Sequence, residues 1–269
     1  MLIILLTLIF GGAIVWLFTL IGLSLWFLFL WVPVGIILGF ALLLVLLYLY
    51  TFFIGQHTKN NHFLKHLLLR SCCKCVYIFM NIKVKVVGRE NIPDETFVIY
   101  SNHKSDLDPV MIYYSVHRRP ISIVGKKSLF ENHIMKLITK TFEAIPVNRE
   151  NDREAAKSMI NAINLVKEGV NMIIFPEGGI KSRDVEEMVD LKAGAYKLAM
   201  KPKATILPIT LVGTSQTAKQ PFYKRKKVTL IIEKPIKAES YEGLNTRDVG
   251  MMVEGIINSR IKEYEEKNI

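Results

Sequence analysis

The first 58 residues contain no Lys, Arg, Asp or Glu and consist almost entirely of apolar side chains. A helix needs about 20 apolar residues to cross the hydrocarbon core of a bilayer. Residues 1–55 are therefore too many for one crossing and enough for two. Pro33 lies near the middle of this stretch, where it interrupts helical hydrogen bonding. We predict two membrane helices, at residues 2–24 and 34–54, joined around residues 26–33.

Basic residues gather directly after the second predicted helix. Lys59, Lys65, Arg70 and Lys74 follow it, whereas the turn between the two helices has no charge. The positive-inside rule therefore predicts that the rest of the chain lies on the cytoplasmic side of the membrane. Two full crossings satisfy this topology, and so does a hairpin that enters only one leaflet. The absent basic n-region and the long apolar run argue against a secretory signal.

Residues 59–82 mix apolar and basic positions. Both an interfacial helix and an amphipathic helix packed on a domain have this pattern. All three cysteines lie at residues 72–75, which predicts free thiols in a reducing compartment rather than a disulfide framework. His62 and His66 are spaced four residues apart, but no second ligand pair follows at zinc-finger spacing. We therefore predict no metal site, and no other cofactor.

The formal net charge of +11 falls entirely on residues 59–269. A nucleic acid, an anionic bilayer surface and a phosphorylated substrate would each attract this charge. The attached apolar segment favours the bilayer, where each Lys or Arg near the surface contributes about 1 kcal/mol. We therefore predict the membrane lipid bilayer as a partner and no nucleic acid.

From residue 83 onward, short runs typical of β-strands alternate with helical stretches. This alternation predicts an α/β domain at residues 83–269, with a mixed, largely parallel sheet flanked by helices. The predicted strands are 83–87, 96–101, 121–124, 144–147, 171–175, 205–212 and 227–233. The predicted helices are 107–116, 128–140, 152–168, 190–200 and 246–267.

A histidine follows the second predicted strand. Asn102 and His103 end that strand, and the tips of strands are where the sites of α/β folds tend to lie. Asp108 begins the next predicted helix, and its carboxylate can accept a hydrogen bond from one ring nitrogen and leave the other free as a base. Asp106 is a second possible partner for His103. A lone His near an Asp is more often structural, so this segment alone does not establish catalysis.

A second strand runs into a turn that contains two glycines, Gly178 and Gly179. Lys181, Ser182 and Arg183 follow them. Glycines let backbone N–H groups approach an anion, and nearby cations would complete a phosphate site. Taken alone, the segment is equally typical of a tight turn with solvated charges.

Two further strands end in cations. Arg149 follows residues 145–148, and a guanidinium suits bidentate binding of phosphate. Lys126 and Lys127 follow another strand in the same manner. Exposed basic residues with no ligand are the commoner explanation for both positions.

Together these segments resemble one family, the glycerolipid acyltransferases, and within it most closely the 1-acylglycerol-3-phosphate acyltransferases. The residues that resemble its four sequence blocks are, in order, Asn102-His103-x4-Asp108, Arg149, Phe175-Pro-Glu-Gly178 and Leu207-Pro-Ile209. Residues 191–199 also look like the helix that follows the third block. The resemblance covers roughly residues 83–235.

The resemblance implies that His103 is the general base and Asp108 its orienting partner. It also implies that Arg149 contacts the acceptor phosphate and that Glu177 shapes the site. The third block of the family usually continues as Gly-Thr-Arg-Ser, whereas this chain reads Gly-Gly-Ile-Lys-Ser, one residue longer. Either Lys181 or Arg183 then takes the place of the family arginine.

The substrate-binding residues predicted on these grounds share positions at strand ends or in the glycine turn. They are Asn102, Lys126, Arg149, Glu177, Gly178, Gly179, Lys181, Ser182 and Arg183.

The function implied by the resemblance is transfer of a fatty acyl group to the sn-2 hydroxyl of lysophosphatidic acid. The donor would be the thioester of acyl-CoA or of acyl carrier protein. One alternative is another acceptor, either a different lysophospholipid or glycerol-3-phosphate. A membrane-tethered basic protein without catalysis is a second alternative. A hydrolase is disfavoured because the chain has no Gly-x-Ser-x-Gly elbow, and it also lacks a His-Glu-x-x-His motif.

Overall fold

The computed structural model describes residues 2–22, 28–58, 63–116 and 121–267. The chain forms two compact units, Met1–Val76 and Tyr77–Ile269. The first unit contains helix α1 (Leu2–Leu20), helix α2 (Leu28–Phe53) and most of helix α3 (Phe63–Phe79). The cysteines at residues 72, 73 and 75 are free thiols on α3.

Helices α1 and α2 are each long and apolar enough to cross a membrane, as predicted. Glycines let them approach closely, since a Cβ atom on Gly39 would lie only 2.5 Å from the backbone nitrogen of Gly11. The predicted start of the second helix at residue 34 is wrong, because α2 begins at Leu28 and includes Pro33. Apolar helices tolerate a proline when neighbouring groups and small local adjustments satisfy the freed carbonyl.

The second unit is built on a seven-stranded sheet, which confirms the predicted fold class. Its strands start and end within two residues of the predicted positions. They are β1 (Ile82–Val87), β2 (Phe97–Ser101), β3 (Ile121–Lys126), β4 (Ile145–Val147), β5 (Asn171–Ile174), β6 (Thr205–Val212) and β7 (Lys226–Ile232).

The order of the strands across the sheet is β1-β7-β6-β2-β5-β3-β4. Every neighbouring pair is parallel except β6 and β7, which are antiparallel. Strands β1 and β7 therefore run opposite to the other five. The edge that carries the carboxyl ends of β2 to β6 also carries the starts of β1 and β7, and we call it the carboxyl edge.

In the described part of the second unit, the helices that accompany the sheet are α4 (Asp108–Ser115), α5 (His133–Phe142), α6 (Asp152–Lys167), α7 (Lys197–Met200), α8 (Ser215–Lys219) and α9 (Thr246–Glu266). Asn151 caps the start of α6, because its side chain accepts a hydrogen bond from the backbone N–H of Glu154 at 3.1 Å. One face of α9 packs into the core, since Val249, Val253, Ile257 and Ile261 are fully buried.

Two predicted helices begin later than expected. Residues 127–130 form a single 3-10 turn, and α5 starts only after Asn132, whose side chain accepts from the Met135 N–H at 2.8 Å. Residues 193–196 are likewise a 3-10 turn before α7. The Lys192 N–H donates to the carbonyl of Pro176 at 2.9 Å, which ties the start of this segment to the loop after β5.

Candidate active site

His103 lies directly beyond β2, the central strand, in the loop that leads to α4. Its Nδ1 lies 3.1 Å from Oδ2 of Asp108, as predicted. The same carboxylate oxygen accepts hydrogen bonds from the backbone N–H groups of Lys104 at 2.7 Å and Ser105 at 2.8 Å. These two donors hold the fully buried carboxylate in place, so Asp108 can keep the proton of His103 on Nδ1.

The imidazole is held on a second side by an aromatic ring. The rings of His103 and Phe175 stack with centroids 4.1 Å apart and an interplanar angle of 20°. Within the described part of the chain, Nε2 of His103 has no hydrogen-bond partner. The free nitrogen is the group that a general base requires.

The other possible partner of His103, Asp106, points elsewhere. Its Oδ2 lies 3.1 Å from Nη2 of Arg183, and the Asp106 side chain is largely exposed whereas that of Arg183 is partly buried. Arg183 comes from the loop after β5, so the choice between the two aspartates depends on a residue distant in sequence. This pairing also engages one of the two cations predicted to replace the family arginine.

Lys104 and Glu177 form a fully buried ion pair next to His103. The Nζ of Lys104 lies 2.8 Å from Oε2 of Glu177, and both side chains have no exposed surface. The other carboxylate oxygen, Oε1, accepts the backbone N–H of His103 at 2.8 Å. Burial raises the pKa of Glu177, while the hydrogen bonds from Lys104 and His103 oppose that rise. This geometry favours a positioning role for Glu177 over the predicted contact with substrate.

The side chain of Asn102 connects the end of β2 to the main chain of two other segments. Its side-chain amide donates to the carbonyls of Glu186 and Leu211, both at 2.8 Å, and its oxygen accepts from the Leu211 N–H at 2.9 Å. Both amide hydrogens are thereby engaged with the main chain. The geometry favours a structural role for Asn102 rather than the predicted role in substrate binding.

The glycine turn after β5 is flanked by two cations. Gly178 and Gly179 adopt φ angles of +70° and +149°, which disfavour residues with a side chain. A Cβ atom on Gly178 would lie 2.8 Å from Cε of Lys192, and one on Gly179 would lie 2.8 Å from Nη1 of Arg149. The two glycines therefore leave the space that these cations occupy.

Arg149 is partly desolvated, which lowers the pKa of its guanidinium. No carboxylate among the described residues pairs with it. A desolvated cation without a counterion is stabilised by an anionic ligand. Arg149 and the glycine turn thus provide the chemistry of a phosphate site.

In the described part of the chain, no hydrogen bond or ion pair joins the remaining predicted residues to His103. Lys126 is exposed at the end of β3, and Lys181 is exposed without an ion-pair partner among the described residues. Ser182 accepts the N–H of Asp184 at 3.1 Å. The block at residues 207–209 forms the middle of β6, fully buried beside β2.

An apolar groove of about 790 Å³ starts beside the stacked rings and follows helix α6. Phe175, Gly178 and Arg149 line the end of the groove near His103. Lys167 and Lys201 also line the groove. The apolar lining residues that α6 supplies are Ala155, Ala156, Met159, Ile160 and Ile163. A helix of this length extends about 24 Å, which sets the scale for an extended ligand.

Comparison with known proteins identifies the family. A family model described as Acyltransferase matches residues 83–212. A 1-acyl-sn-glycerol-3-phosphate acyltransferase of Bacillus subtilis is 31% identical over 203 residues, covering 74% of this chain and 98% of that protein. The chain belongs to the acyltransferase family. It is therefore an O-acyltransferase, and its membership confirms the resemblance seen in the motifs.

Two further relatives agree with this assignment. A 1-acyl-sn-glycerol-3-phosphate acyltransferase of Borreliella burgdorferi is 34% identical over 153 residues, covering 56% of this chain and 60% of that protein. The crystal structure of the 1-acyl-sn-glycerophosphate acyltransferase PlsC from Thermotoga maritima superposes with a TM-score of 0.62 at 23% identity, covering 74% of this chain and 79% of that one. At this identity the structural likeness shows a shared fold.

Two residues of the candidate site were missed by sequence reasoning. Lys104 lies inside the quoted His-Asp segment, but a lysine in a polar loop gives no sign that it will be buried against Glu177. Lys192 lies in the segment that resembles a family helix, yet only the fold places it over Gly178. Among the described residues, no group of three or more His, Cys, Asp or Glu side chains could hold a metal. His62 lies outside the described residues.

The ion pair generates a prediction for stability. Lys104→Met leaves the Glu177 carboxylate buried without its counterion, which is expected to lower the free energy of unfolding by about 3–5 kcal/mol near neutral pH. Removing Lys104 also removes an interaction that lowers the pKa of Glu177, so in the variant this carboxyl takes up a proton more readily and loses its unpaired charge. The loss in free energy of unfolding should therefore be smallest at acidic pH. It should grow as pH rises through the raised pKa of Glu177.

Denaturant unfolding of the detergent-solubilised protein at several pH values measures this deficit. Lys203→Met is the matched control, because Lys203 forms an exposed ion pair with Glu242 at 2.9 Å and should change stability little. Equal losses for the two variants, or a Lys104→Met deficit that does not vary with pH, would contradict the prediction.

Proposed function

We propose that this acyltransferase moves a fatty acyl group from a thioester to the sn-2 hydroxyl of 1-acylglycerol-3-phosphate and so forms phosphatidic acid. The observation that carries the proposal is the His103 imidazole, whose Nδ1 is held by Asp108 while Nε2 is free. The names of the Bacillus subtilis and Borreliella burgdorferi relatives support the choice of acceptor. The reaction needs no metal or other cofactor.

In the proposed reaction, Nε2 of His103 removes the proton of the acceptor hydroxyl as its oxygen attacks the thioester carbonyl. The resulting tetrahedral intermediate collapses by breaking the carbon–sulfur bond. The imidazolium returns the proton to the departing thiolate, which leaves as a thiol, and the new ester remains on the lipid. No acyl group is attached to the protein at any step.

Asp108 supports both proton transfers. It accepts the hydrogen bond of Nδ1, which orients the ring, and its negative charge stabilises the imidazolium that forms. The two backbone donors from Lys104 and Ser105 keep the carboxylate from turning away. The stack with Phe175 fixes the plane of the ring, so Nε2 presents one direction to the substrate.

The developing oxyanion requires a donor near the glycine turn. Gly178 does not supply it, because its N–H donates to the carbonyl of Phe175 at 3.0 Å. The N–H of Gly179 has no acceptor among the described residues and is the donor we assign. Of the pair expected from the sequence, one glycine closes the turn and the other faces the substrate.

The acceptor phosphate is assigned to the space beside the glycine turn, between Arg149 and Lys192. Arg149 has no ion-pair partner in the described part of the chain. Partial desolvation lowers the pKa of its guanidinium. Of the two cations expected to replace the family arginine, Lys181 has no ion-pair partner there, whereas Arg183 binds Asp106. We therefore assign Lys181, with Ser182 beside it, to the phosphate rather than Arg183. Lys126, which is exposed at the end of β3, remains a candidate contact of the acceptor.

The acyl chain of the donor is assigned to the apolar groove along α6. Phe175 both lines this groove and stacks on His103, so a chain lying in the groove brings its thioester carbonyl towards Nε2. The carrier at the thioester end would be acyl-CoA or acyl carrier protein. The two apolar helices indicate a membrane-associated chain, and the cations after them favour a catalytic unit on the cytoplasmic side.

The catalytic pair generates the central prediction. His103→Ala and Asp108→Asn should each lower kcat for acyl transfer by about 10²–10⁴-fold, because the first removes the base and the second its correct tautomer. Labelled acyl thioester and lysophosphatidic acid are incubated with the reconstituted enzyme, and phosphatidic acid is quantified. Asp106→Asn, which removes an exposed carboxylate of the same loop, should retain kcat within a few-fold. Full transfer by His103→Ala, or release of free fatty acid alone by the parent enzyme, would exclude the mechanism.

The phosphate site generates a second prediction. Arg149→Gln should raise KM for lysophosphatidic acid by about 10–100-fold, since hydrogen bonds to charged groups contribute about 1.5–3 kcal/mol. KM for a monoacylglycerol, which has no phosphate, should stay unchanged. Arg153→Gln, an exposed arginine in the first turn of α6, serves as the control. Equal effects of Arg149→Gln on both acceptors would rule out a phosphate contact.

The groove generates a third prediction. Ala156→Phe should narrow the groove and lower kcat/KM for long-chain acyl donors at least tenfold more than for short-chain donors. Lys157→Phe adds the same ring to an exposed position of α6 that does not line the groove, and it should leave chain-length preference unchanged. Rates with a series of acyl-CoA and acyl carrier protein donors measure both effects and identify the carrier. An unaltered chain-length profile in Ala156→Phe would place the acyl chain elsewhere.

A further inference from the structure

The second unit exposes a cluster of large apolar side chains far along the sheet from the groove. Ile78, Phe79, Phe222 and Tyr223 form it, and we call it the aromatic patch. Their exposed fractions are 56%, 66%, 53% and 66%. Single exposed apolar residues are ordinary on protein surfaces, but contiguous ones mark interaction sites.

Ring contacts join the three aromatic members of the patch. The rings of Phe79 and Phe222 stack with centroids 5.3 Å apart and an interplanar angle of 6°. Phe222 and Tyr223 meet edge to face at 5.7 Å. Phe79 ends helix α3 and the other two precede β7, so the patch joins two segments that are distant in sequence.

A buried lysine holds these two segments together. The ammonium of Lys226 has no exposed surface and donates to the carbonyls of Met80 at 3.0 Å, Pro221 at 2.8 Å, Phe222 at 3.3 Å and Lys224 at 3.1 Å. Asn81 adds a hydrogen bond to the carbonyl of Tyr223 at 2.8 Å. These contacts hold the loop in a shape that keeps its rings pointing outward.

Cations flank the patch. Lys224 and Arg225 are exposed and follow Tyr223 directly, and neither pairs with a carboxylate among the described residues. Aromatic side chains favour the headgroup level of a bilayer, and Lys or Arg nearby is attracted to anionic lipid. An anionic phospholipid surface therefore complements both the apolar and the charged parts of this patch.

The patch lies on the same edge of the sheet as the catalytic pair. Strands β1 and β7 start at the carboxyl edge because β7 is antiparallel to β6, and the patch immediately precedes both strands. Helix α8 links the two places, since its Thr217 hydroxyl is hydrogen-bonded to that of Ser105, two residues from His103. A surface that touches the patch therefore faces the edge where His103 lies.

We propose that the aromatic patch is a docking surface for an anionic phospholipid bilayer. It brings the carboxyl edge of the catalytic unit against the lipid headgroups, in addition to the attachment that the N-terminal helices provide. The further consequence, that a lysophospholipid reaches His103 without leaving the bilayer, rests on the proposed function.

Photo-crosslinking of the full-length enzyme in phosphatidylglycerol-containing vesicles tests the docking. Tyr223→benzoylphenylalanine should yield lipid adducts at least tenfold above Met251→benzoylphenylalanine, the control on α9, whose parent residue is 56% exposed. Adding Lys224→Glu and Arg225→Glu should lower the yield in anionic vesicles by several-fold and leave it unchanged in phosphatidylcholine vesicles. Equal adduct yields at positions 223 and 251 would overturn the proposal. Crosslinks from position 223 only to an added acidic carrier protein, rather than to lipid, would overturn the proposal as well.

Kinetics test the consequence for the acceptor. Phe222→Ser combined with Tyr223→Ser should raise KM at least fivefold for lysophosphatidic acid embedded in vesicles. KM for a water-soluble short-chain analogue, and the thermal unfolding midpoint, should remain unchanged. Equal KM increases for both acceptors would overturn the role of the patch in acceptor delivery. Absence of transfer to any lysophosphatidic acid in the parent enzyme would refute the proposed function and leave the crosslinking result valid.

Discussion

The buried ion pair between Lys104 and Glu177 is the interaction on which the active site depends. It joins the loop after β2 to the loop after β5, and neither charge has access to water. Through its second oxygen, Glu177 also holds the backbone of His103. Two buried charges are stable only when they meet each other and have their remaining hydrogen bonds satisfied. The pair thus fixes the distance between His103 and the glycine turn.

The groups assigned to the proposed reaction come from the ends of three strands. His103 lies after β2, the glycine turn with Lys181 and Ser182 lies after β5, and Arg149 lies after β4. The apolar groove leaves the same place along α6. A lipid acceptor and an acyl donor are both amphipathic, and an arrangement with polar groups at the edge and an apolar groove beside it suits both molecules.

The reversed direction of β1 and β7 determines where the aromatic patch lies. In a sheet with all strands parallel, the starts of these strands would lie at the opposite edge. Here the antiparallel pairing of β6 and β7 brings the aromatic patch to the edge that holds His103. Among the residues that the structure describes, the Lys226 ammonium binds only backbone carbonyls at this junction. The neighbouring Lys224 and Arg225 are exposed.

Local patterns in the sequence predicted the two apolar helices and all seven strands, because each depends on residues close in sequence and on side-chain periodicity. The segment after β2 left both Asp106 and Asp108 as possible partners of His103, and the family resemblance selected Asp108. Only the tertiary structure decided that Arg183 forms an ion pair with Asp106 and that Lys104 is buried against Glu177. It also placed Lys192 and Arg149 on either side of the glycines. These contacts join residues from different strands, and whether a charge is buried or exposed depends on which strands become neighbours. That order is decided by packing of the whole sheet rather than by any local segment.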